Sequence, residues 1–257
     1  MIKPDFHLEG EKTSLAALPT DAFELAINGQ DLSGSWRWVG AGRQTLQTPA
    51  GLLATVSLAS RAMPVTVKIQ TLLHGGPVLV RWLEITNTGP APVAITRVSP
   101  WAGIIWNTAN YRERVAKEGE PVFEFAQAEY QEWGHEGAWR FEPLVNGAKT
   151  VSGTRGKSGW GHPTFFARNR ATGEWFVASL GWSGNWSYRL TGTQDAQRDR
   201  ARMFFSMGPA AADPALRVLA PGETVRTPET HVLLLRADLD RVIQALHDHV
   251  RRNVLPR

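Results

Sequence analysis

Aromatic and planar polar residues are concentrated around positions 129 to 186, in the stretches EYQEWGHEGAWRFEPLVNG, SGTRGKSGWGHPTFF and SLGWSGNWSYRL. These residue types suit a sugar, because the C–H faces of a pyranose stack on an indole while its hydroxyls bond to planar polar groups. We therefore predict a carbohydrate-binding surface on a concave sheet face. Alternatively, the indoles pack between two sheets and the charges cap strand ends. The candidate residues are Trp133, Glu136, Trp139, Arg155, Trp160, His162, Trp182 and Trp186.

The same region contains groups that could transfer protons, but no spacing typical of a catalytic motif. A glycosidase needs two carboxylates roughly 5–10 Å apart, for which Glu136 and Glu142 are candidates. A sugar mutarotase needs an acid and a base, a role that His135 or His162 could share with Glu136. These pairs define hypotheses, and the sequence assigns no catalytic residue, metal or cofactor.

Composition excludes several classes of protein. The 257 residues contain no cysteine, which rules out disulfides, thiolate zinc sites and cysteine nucleophiles. The net charge of +4 comes from scattered basic residues, so nucleic acid is not a predicted partner. No signal peptide and no membrane-spanning segment is recognisable, and we expect a cytoplasmic protein without membrane contact. The unusual feature is the number of tryptophans, which is 11.

Short apolar runs separated by turn residues extend over most of the chain. Asn28-Gly29 is a strong hairpin signal, and Ala171-Thr172-Gly173-Glu174 predicts a second turn. In VLVRWLEIT, residues 78–86, both alternating faces are mostly apolar, which predicts a strand between two layers. More than a dozen such strands indicate an all-β fold, a large antiparallel sandwich of two sheets.

Only the C-terminal segment has helical periodicity. Asp238 is the predicted N-cap, and His247 and His249 point about 200° apart on such a helix, so they cannot share a metal ion. We divide the chain into a β domain, residues 1–236, and a helical connector, residues 237–257. The predicted apolar face of the helix consists of Leu239, Val242, Ile243, Leu246 and Val250.

Three stretches resemble the N-terminal domain of glycoside hydrolase family 36, the bacterial and fungal α-galactosidases and their relatives. They are VRWLEITNTGPAPVAITRVS, EWGHEGAWRFEPLVNGAKTVSGTRGKSGWGHPTFF and GEWFVASLGWSGNWS. The C-terminal LHDHVRRNVLP also resembles the connector that precedes the family's catalytic barrel, so the similarity covers roughly residues 5 to 255. The chain departs from the family's serine-rich motif at residues 157–162, where it reads KSGWGH.

The resemblance implies a β-supersandwich like that of galactose mutarotase, followed by one helix. It also implies that hydrolysis belongs to two aspartates on a (β/α)₈ barrel, to which no residue of this chain corresponds. The expected role is then that of a non-catalytic accessory domain supporting assembly and sugar positioning. The expected partners are a galactoside and a barrel domain or subunit, or further copies of the chain. A free-standing carbohydrate-binding protein and a mutarotase-like enzyme are the alternatives.

Trp182 and Trp186 flank Ser183-Gly184-Asn185, which resembles a turn or bulge of that family. Residues four apart share one side of a regular strand but not of a bulged one. We expect one indole in the core and the other beside a groove. Gly184 would permit a backbone conformation that a side chain forbids, and Asn185 would hold the turn by side-chain hydrogen bonds.

Overall fold

The computed structural model describes residues 21–47, 50–115, 120–128, 138–155, 161–211 and 215–255. The strands are β1 (Glu24–Ile27), β2 (Gln30–Asp31), β3 (Trp36–Gln47), β4 (Ala50–Ser60), β5 (Val65–Leu73), β6 (Val78–Asn87), β7 (Val93–Ser99), β8 (Trp101–Ala109), β9 (Phe123–Ala128), β10 (Trp139–Pro143), β11 (Gly147–Gly153), β12 (Thr164–Asn169), β13 (Glu174–Leu180), β14 (Trp186–Asp195), β15 (Arg200–Pro209), β16 (Arg217–Leu219), β17 (Thr224–Arg226) and β18 (Thr230–Arg236). They are followed by helix α1 (Leu239–His249) and a π-helical turn (Val250–Val254).

The strands form three antiparallel sheets. The largest has ten strands in the order β10-β9-β12-β13-β18-β6-β5-β4-β3, with β17 also paired to β6. The two smaller sheets have the orders β16-β7-β1-β2 and β11-β14-β15-β8. The predicted all-β antiparallel sandwich with one C-terminal helix is therefore confirmed, and the layer opposite the ten-stranded sheet is divided in two.

Two apolar cores lie between the layers. One joins the sheet of β1, β2, β7 and β16 to β4, β5 and β6, with Leu83 and Ile85 fully buried in it. The other joins the sheet of β8, β11, β14 and β15 to β9, β12, β13 and β18, around Phe165 and Phe205. Both small sheets thus cover the same face of the large sheet, which we call its inner face.

Strand β6 is buried on both sides, as predicted. Leu83 and Ile85 face the inner core, whereas Val78, Val80 and Trp82 alternate onto the other face. We call this second face the outer face of the ten-stranded sheet. Helix α1 packs there, which explains why the strand lacks a polar side.

The hairpin predictions are confirmed in the structure. Asn28 and Gly29 have φ values of 51° and 81° and join β1 to β2. Gly173, with φ 73°, lies in the turn between β12 and β13. Positive φ is strained for most side chains, so these positions favour Asn and Gly.

Helix α1 begins as predicted, because the Asp238 side chain accepts a hydrogen bond from the Arg241 amide at 2.8 Å. Its apolar residues pack on Val78, Val177 and Leu233 of the outer face. Val250 differs from expectation, since it is exposed while the neighbouring His249 is buried. The division into two domains remains a prediction.

Candidate functional site

An open groove of about 670 Å³ lies on the outer face of the ten-stranded sheet. It is formed where β10, β12 and β13 meet the loop that follows β13. Its lining residues are Trp139, His162, Pro163, Thr164, Phe166, Ser179, Gly181, Trp182 and Ser183.

Strand register explains why these residues meet. Thr164 is paired with Ser179 across the β12–β13 hairpin, and their hydroxyl oxygens are 2.7 Å apart. Phe166 is two residues beyond Thr164 and therefore lies on the same face of the sheet. The Trp139 ring meets Phe166 edge to face, with 4.7 Å between the ring centroids. The groove floor thus combines apolar rings with a pair of hydroxyl groups.

The Trp182 indole is held in a defined position at the groove. Its Nε1 donates a hydrogen bond to the Asn185 carbonyl at 3.0 Å. The ring also lies directly over Gly184, where an added Cβ would come within 2.7 Å of the indole nitrogen. The side chain nevertheless remains 44% exposed. Trp182 therefore presents an oriented aromatic surface to the solvent.

This contact corrects the sequence-based explanation of Gly184, while the expected side-chain role of Asn185 stays a prediction. Gly184 is not among the positive-φ glycines of the described chain. A side chain there would have to displace the Trp182 ring, which lies within 3 Å of the position of an added Cβ. The Asn185 backbone carbonyl, which accepts from both the Trp182 indole and the Ala210 amide, holds the loop.

Trp186 has the opposite environment. It begins β14, is buried in the inner core and stacks on Tyr188, with the ring centroids 5.7 Å apart. An added Cβ at Gly153, on the adjacent strand, would lie only 2.5 Å from its indole nitrogen. One tryptophan of the pair is thus in the core and the other beside a groove, as expected.

The remaining candidates divide into three groups. The groove contains Trp139 and His162, both half-buried, whereas Arg155 lies at an exposed bend after β11 and does not line it. Trp133, Glu136 and Trp160 lie outside the described residues, as does His135.

Sequence reasoning missed Thr164, Phe166, Ser179 and Ser183 as lining residues. The signal that could have found the hydroxyl pair was the β12–β13 hairpin itself. Its turn at residues 171–174 sets the register that places Thr164 opposite Ser179.

Acid–base chemistry has little support in this groove. Among its described lining residues, His162 is the only titratable side chain. Glu142 lies elsewhere and pairs with Lys149 and Arg140. A hydrogen bond from Lys149 lowers the pKa of the Glu142 carboxyl, and Arg140 adds to this effect. A carboxyl kept ionised is a poor general acid.

Metal-binding clusters and membrane-spanning helices are both absent from the described residues. No group of three His, Cys, Asp or Glu side chains is arranged to hold a metal ion. In the same part of the chain, no helix has the length and apolar character needed to cross a bilayer. His247 is exposed while His249 is buried, so these two side chains do point apart as predicted.

Comparison with solved structures identifies the architecture. AgaB, a GH36 α-galactosidase from Geobacillus stearothermophilus, superposes with a TM-score of 0.70 at 18% identity over 90% of this chain. The α-galactosidase from Lactobacillus brevis gives a TM-score of 0.68 at 18% identity over 90%. The chain has the fold of part of these α-galactosidases.

The galactosidase domain of AgaSK, an α-galactosidase–sucrose kinase, is also similar in structure. It superposes with a TM-score of 0.68 at 20% identity over 88% of this chain. The chain spans about a third of these proteins, between 31% and 32% of their length. This share is consistent with the N-terminal domain of a GH36 enzyme alone. No family model and no curated protein matches the sequence.

Proposed function

We propose that this protein is a non-catalytic accessory domain of a family 36-like α-galactosidase system, which supports assembly and positions a sugar for a catalytic barrel. The observation that carries the proposal is the fold match, which spans nearly the whole chain but only a third of each enzyme. A unit of that kind needs a surface for the catalytic domain and a way to handle sugar.

The C-terminal end offers the first of these features. Val250, Val254 and Leu255 are 40%, 50% and 54% exposed at the end of the chain's only described helical segment. Neighbouring apolar side chains left open to water favour burial against another surface. The resemblance of this segment to the family's connector supports a barrel on this side.

The groove offers the second feature. The Trp182 ring can stack on the C–H face of a pyranose, while the paired Thr164 and Ser179 hydroxyls and the His162 ring line the same groove and can bond to its hydroxyls. Because the indole is already oriented by Gly184 and Asn185, little conformational entropy is lost on binding. The same observation favours a second candidate function, a free-standing carbohydrate-binding protein.

We expect galactose, melibiose or raffinose to change the tryptophan fluorescence of the chain saturably, with millimolar affinity. Weak sites of this kind correspond to only about 4 kcal/mol of binding free energy. Trp182→Ala should weaken the response at least tenfold, since it removes the stacking surface. Titration of purified wild-type and variant chains measures this effect.

Two further variants make that titration specific. Trp38 is 61% exposed on β3, outside the groove, so Trp38→Ala should leave the sugar response unchanged. Gly184→Ala keeps the indole but displaces it, and should weaken binding as well. If the fluorescence does not change at sugar concentrations up to tens of millimolar, the protein is not a free-standing carbohydrate-binding protein. Docking to a catalytic barrel would then be the remaining role of the domain.

We also expect the chain to be catalytically inactive. It should not hydrolyse p-nitrophenyl α-galactoside, and it should not accelerate the mutarotation of α-galactose, which polarimetry follows. The reason is that the described groove supplies one titratable group, whereas both reactions require two. Saturable turnover that His162→Ala abolishes would instead support the mutarotase-like enzyme. The cytoplasmic location and any homo-oligomer remain predictions.

A further inference from the structure

Three histidines from distant parts of the chain meet where helix α1 leaves the outer sheet face. His231 is on β18, His249 ends the helix, and His74 follows β5. The His231 Nδ1 and His249 Nε2 atoms are 2.9 Å apart. The ring centroids of His74 and His249 are 6.1 Å apart.

His249 is one of two anchors of the helix. Of the helical residues, only Val242 and His249 are buried. Val242 packs in the apolar cluster on the outer face, near the start of the helix. At the other end, the histidine contact adds a polar attachment to the packing of Ala245 and Leu246 on the same cluster. The residues beyond Leu246, where His247 and Val250 are exposed, are therefore held mainly by this polar contact.

The hydrogen bonds at this contact form a directional chain that requires both rings to be neutral. The Asn253 side-chain amide donates to His249 Nδ1 at 3.2 Å, so this nitrogen is an acceptor. His249 Nε2 then carries the hydrogen and donates to His231 Nδ1. The remaining nitrogen, His231 Nε2, bears its hydrogen towards the Glu229 carboxylate at 3.6 Å.

A second proton on either ring breaks this chain. Protonated His249 would carry a hydrogen on Nδ1, directed at the hydrogens of the Asn253 amide. Protonated His231 would carry one on Nδ1, directed at the His249 N–H. Because an imidazolium has donors only, protonation of His231 sets a donor against a donor, and protonation of His249 does the same unless the Asn253 amide turns its oxygen to the ring. It would also place a positive charge beside a second, partly buried imidazole ring.

The surrounding charges do not reverse this effect. Burial lowers the pKa of His231 to about 4, and His74 adds to it. Burial, followed by His231 and His74, lowers the pKa of His249 to about 4, against a smaller opposing effect of Glu229.

The carboxylates around this contact already have cationic partners. Arg226 pairs with Glu229, which precedes β18. On the helix itself, Asp248 pairs with Arg251 and Arg252. His74 Nδ1 is bonded to the Ala50 carbonyl.

We propose that His231 and His249 form a proton-sensitive latch, closed when both rings are neutral, that controls the attachment of helix α1 to the sheet. Release exposes His249 and loosens the helix end that carries Val250, Val254 and Leu255. The latch belongs to the chain itself and holds whether or not the proposed accessory function is correct.

The sign of the pH dependence follows from linkage. A released histidine has a pKa of about 6.5, so the open state binds more protons than the closed one. The latch therefore stabilises the helix fully above about pH 6.5 and weakens as the pH falls towards 4. Each histidine that gains a proton on release should raise the opening equilibrium roughly 50-fold between pH 7 and 4.5.

Hydrogen exchange of the 257-residue chain, resolved by mass spectrometry and corrected for intrinsic rates, tests this directly. We expect peptides covering residues 239–254 to lose at least tenfold protection between pH 7 and 4.5, while peptides from β13 and β18 remain protected. Equal protection of the helix at both pH values would overturn the proposal.

Matched variants separate a latch from a merely weak helix. His249→Gln and, as an independent variant, His231→Gln should raise exchange at pH 7 and reduce its pH dependence. His247→Gln alters the exposed histidine of the same helix and should behave like wild type. Val242→Ala loosens the apolar packing near the start of the helix. It should raise hydrogen exchange at every pH and leave the dependence of exchange on pH unchanged. A His249→Gln or His231→Gln chain with the wild-type pH profile would refute the latch.

Discussion

Replacing Trp186 with alanine should lower the free energy of unfolding by about 3–5 kcal/mol, the cost of emptying a large aromatic site in a packed core. The side chain is only 2% exposed and lies against Tyr188 and the Gly153 backbone. A single domain has about 5–15 kcal/mol of stability, so the loss is a large part of the total. Urea denaturation followed by far-ultraviolet circular dichroism measures it without relying on tryptophan emission.

Trp182→Ala is the matched control, because it removes the same side chain four residues away. Trp182 is 44% exposed and its indole makes one hydrogen bond, to the Asn185 carbonyl, so the free energy of unfolding should fall by only about 1 kcal/mol. Trp186→Phe provides a milder core change. It keeps a ring against Tyr188, and the lost Nε1 has no hydrogen-bond partner in the described structure. Equal destabilisation by the two alanine variants would contradict the assignment of one indole to the core and one to the groove.

Gly208→Ala should also be damaging, although it adds a single methyl group. Gly208 lies in β15 where this strand crosses β7, and an added Cβ would lie 2.0 Å from the Val98 carbonyl oxygen. Both groups belong to backbone, so neither can move without separating the two small sheets. Overpacking typically costs about 1–3 kcal/mol and occasionally more, and a clash between two backbones lies at the upper end of this range. Thermal and urea unfolding of the purified variant measure the loss.

Gly42→Ala is the control for that substitution. Gly42 lies in β3, has no positive φ, and an added Cβ there would meet nothing within 4 Å. Alanine should be neutral or stabilise the protein by up to about 1 kcal/mol, since it restricts the unfolded chain. Comparable stabilities of the Gly208→Ala and Gly42→Ala chains would show that the strand crossing is looser than described.

The second layer divides into two sheets at Pro100, close to the Gly208 contact. Strand β7 runs into β8 through Ser99 and Pro100, and the chain passes from one small sheet to the other at this point. Proline has no N–H to continue a ladder of hydrogen bonds, which favours a break between sheets. Strand spacing alone predicted two layers, but it contained no information about where a layer would divide.

Features set by neighbouring residues were predictable from the sequence. The Asn28-Gly29 hairpin, the Asp238 cap and the two buried faces of β6 all depend on contacts or alternation within a few residues. Backbone sterics, capping and side-chain periodicity act at that range, and they are readable from a single chain. The count and spacing of strands likewise sufficed for an all-β sandwich.

The site and the latch depended on tertiary structure. Trp182 and Trp186 have the same type and a symmetrical setting in the sequence, yet Trp182 lies in the loop after β13 whereas Trp186 begins β14 in another sheet. His74 and His249 meet across 175 positions of the chain because the helix folds back over the sheet. Such contacts depend on strand register and helix packing between residues that are far apart in the chain. The sequence alone therefore determined the residue types and the local elements. Only the folded sheet decided which of these residues meet.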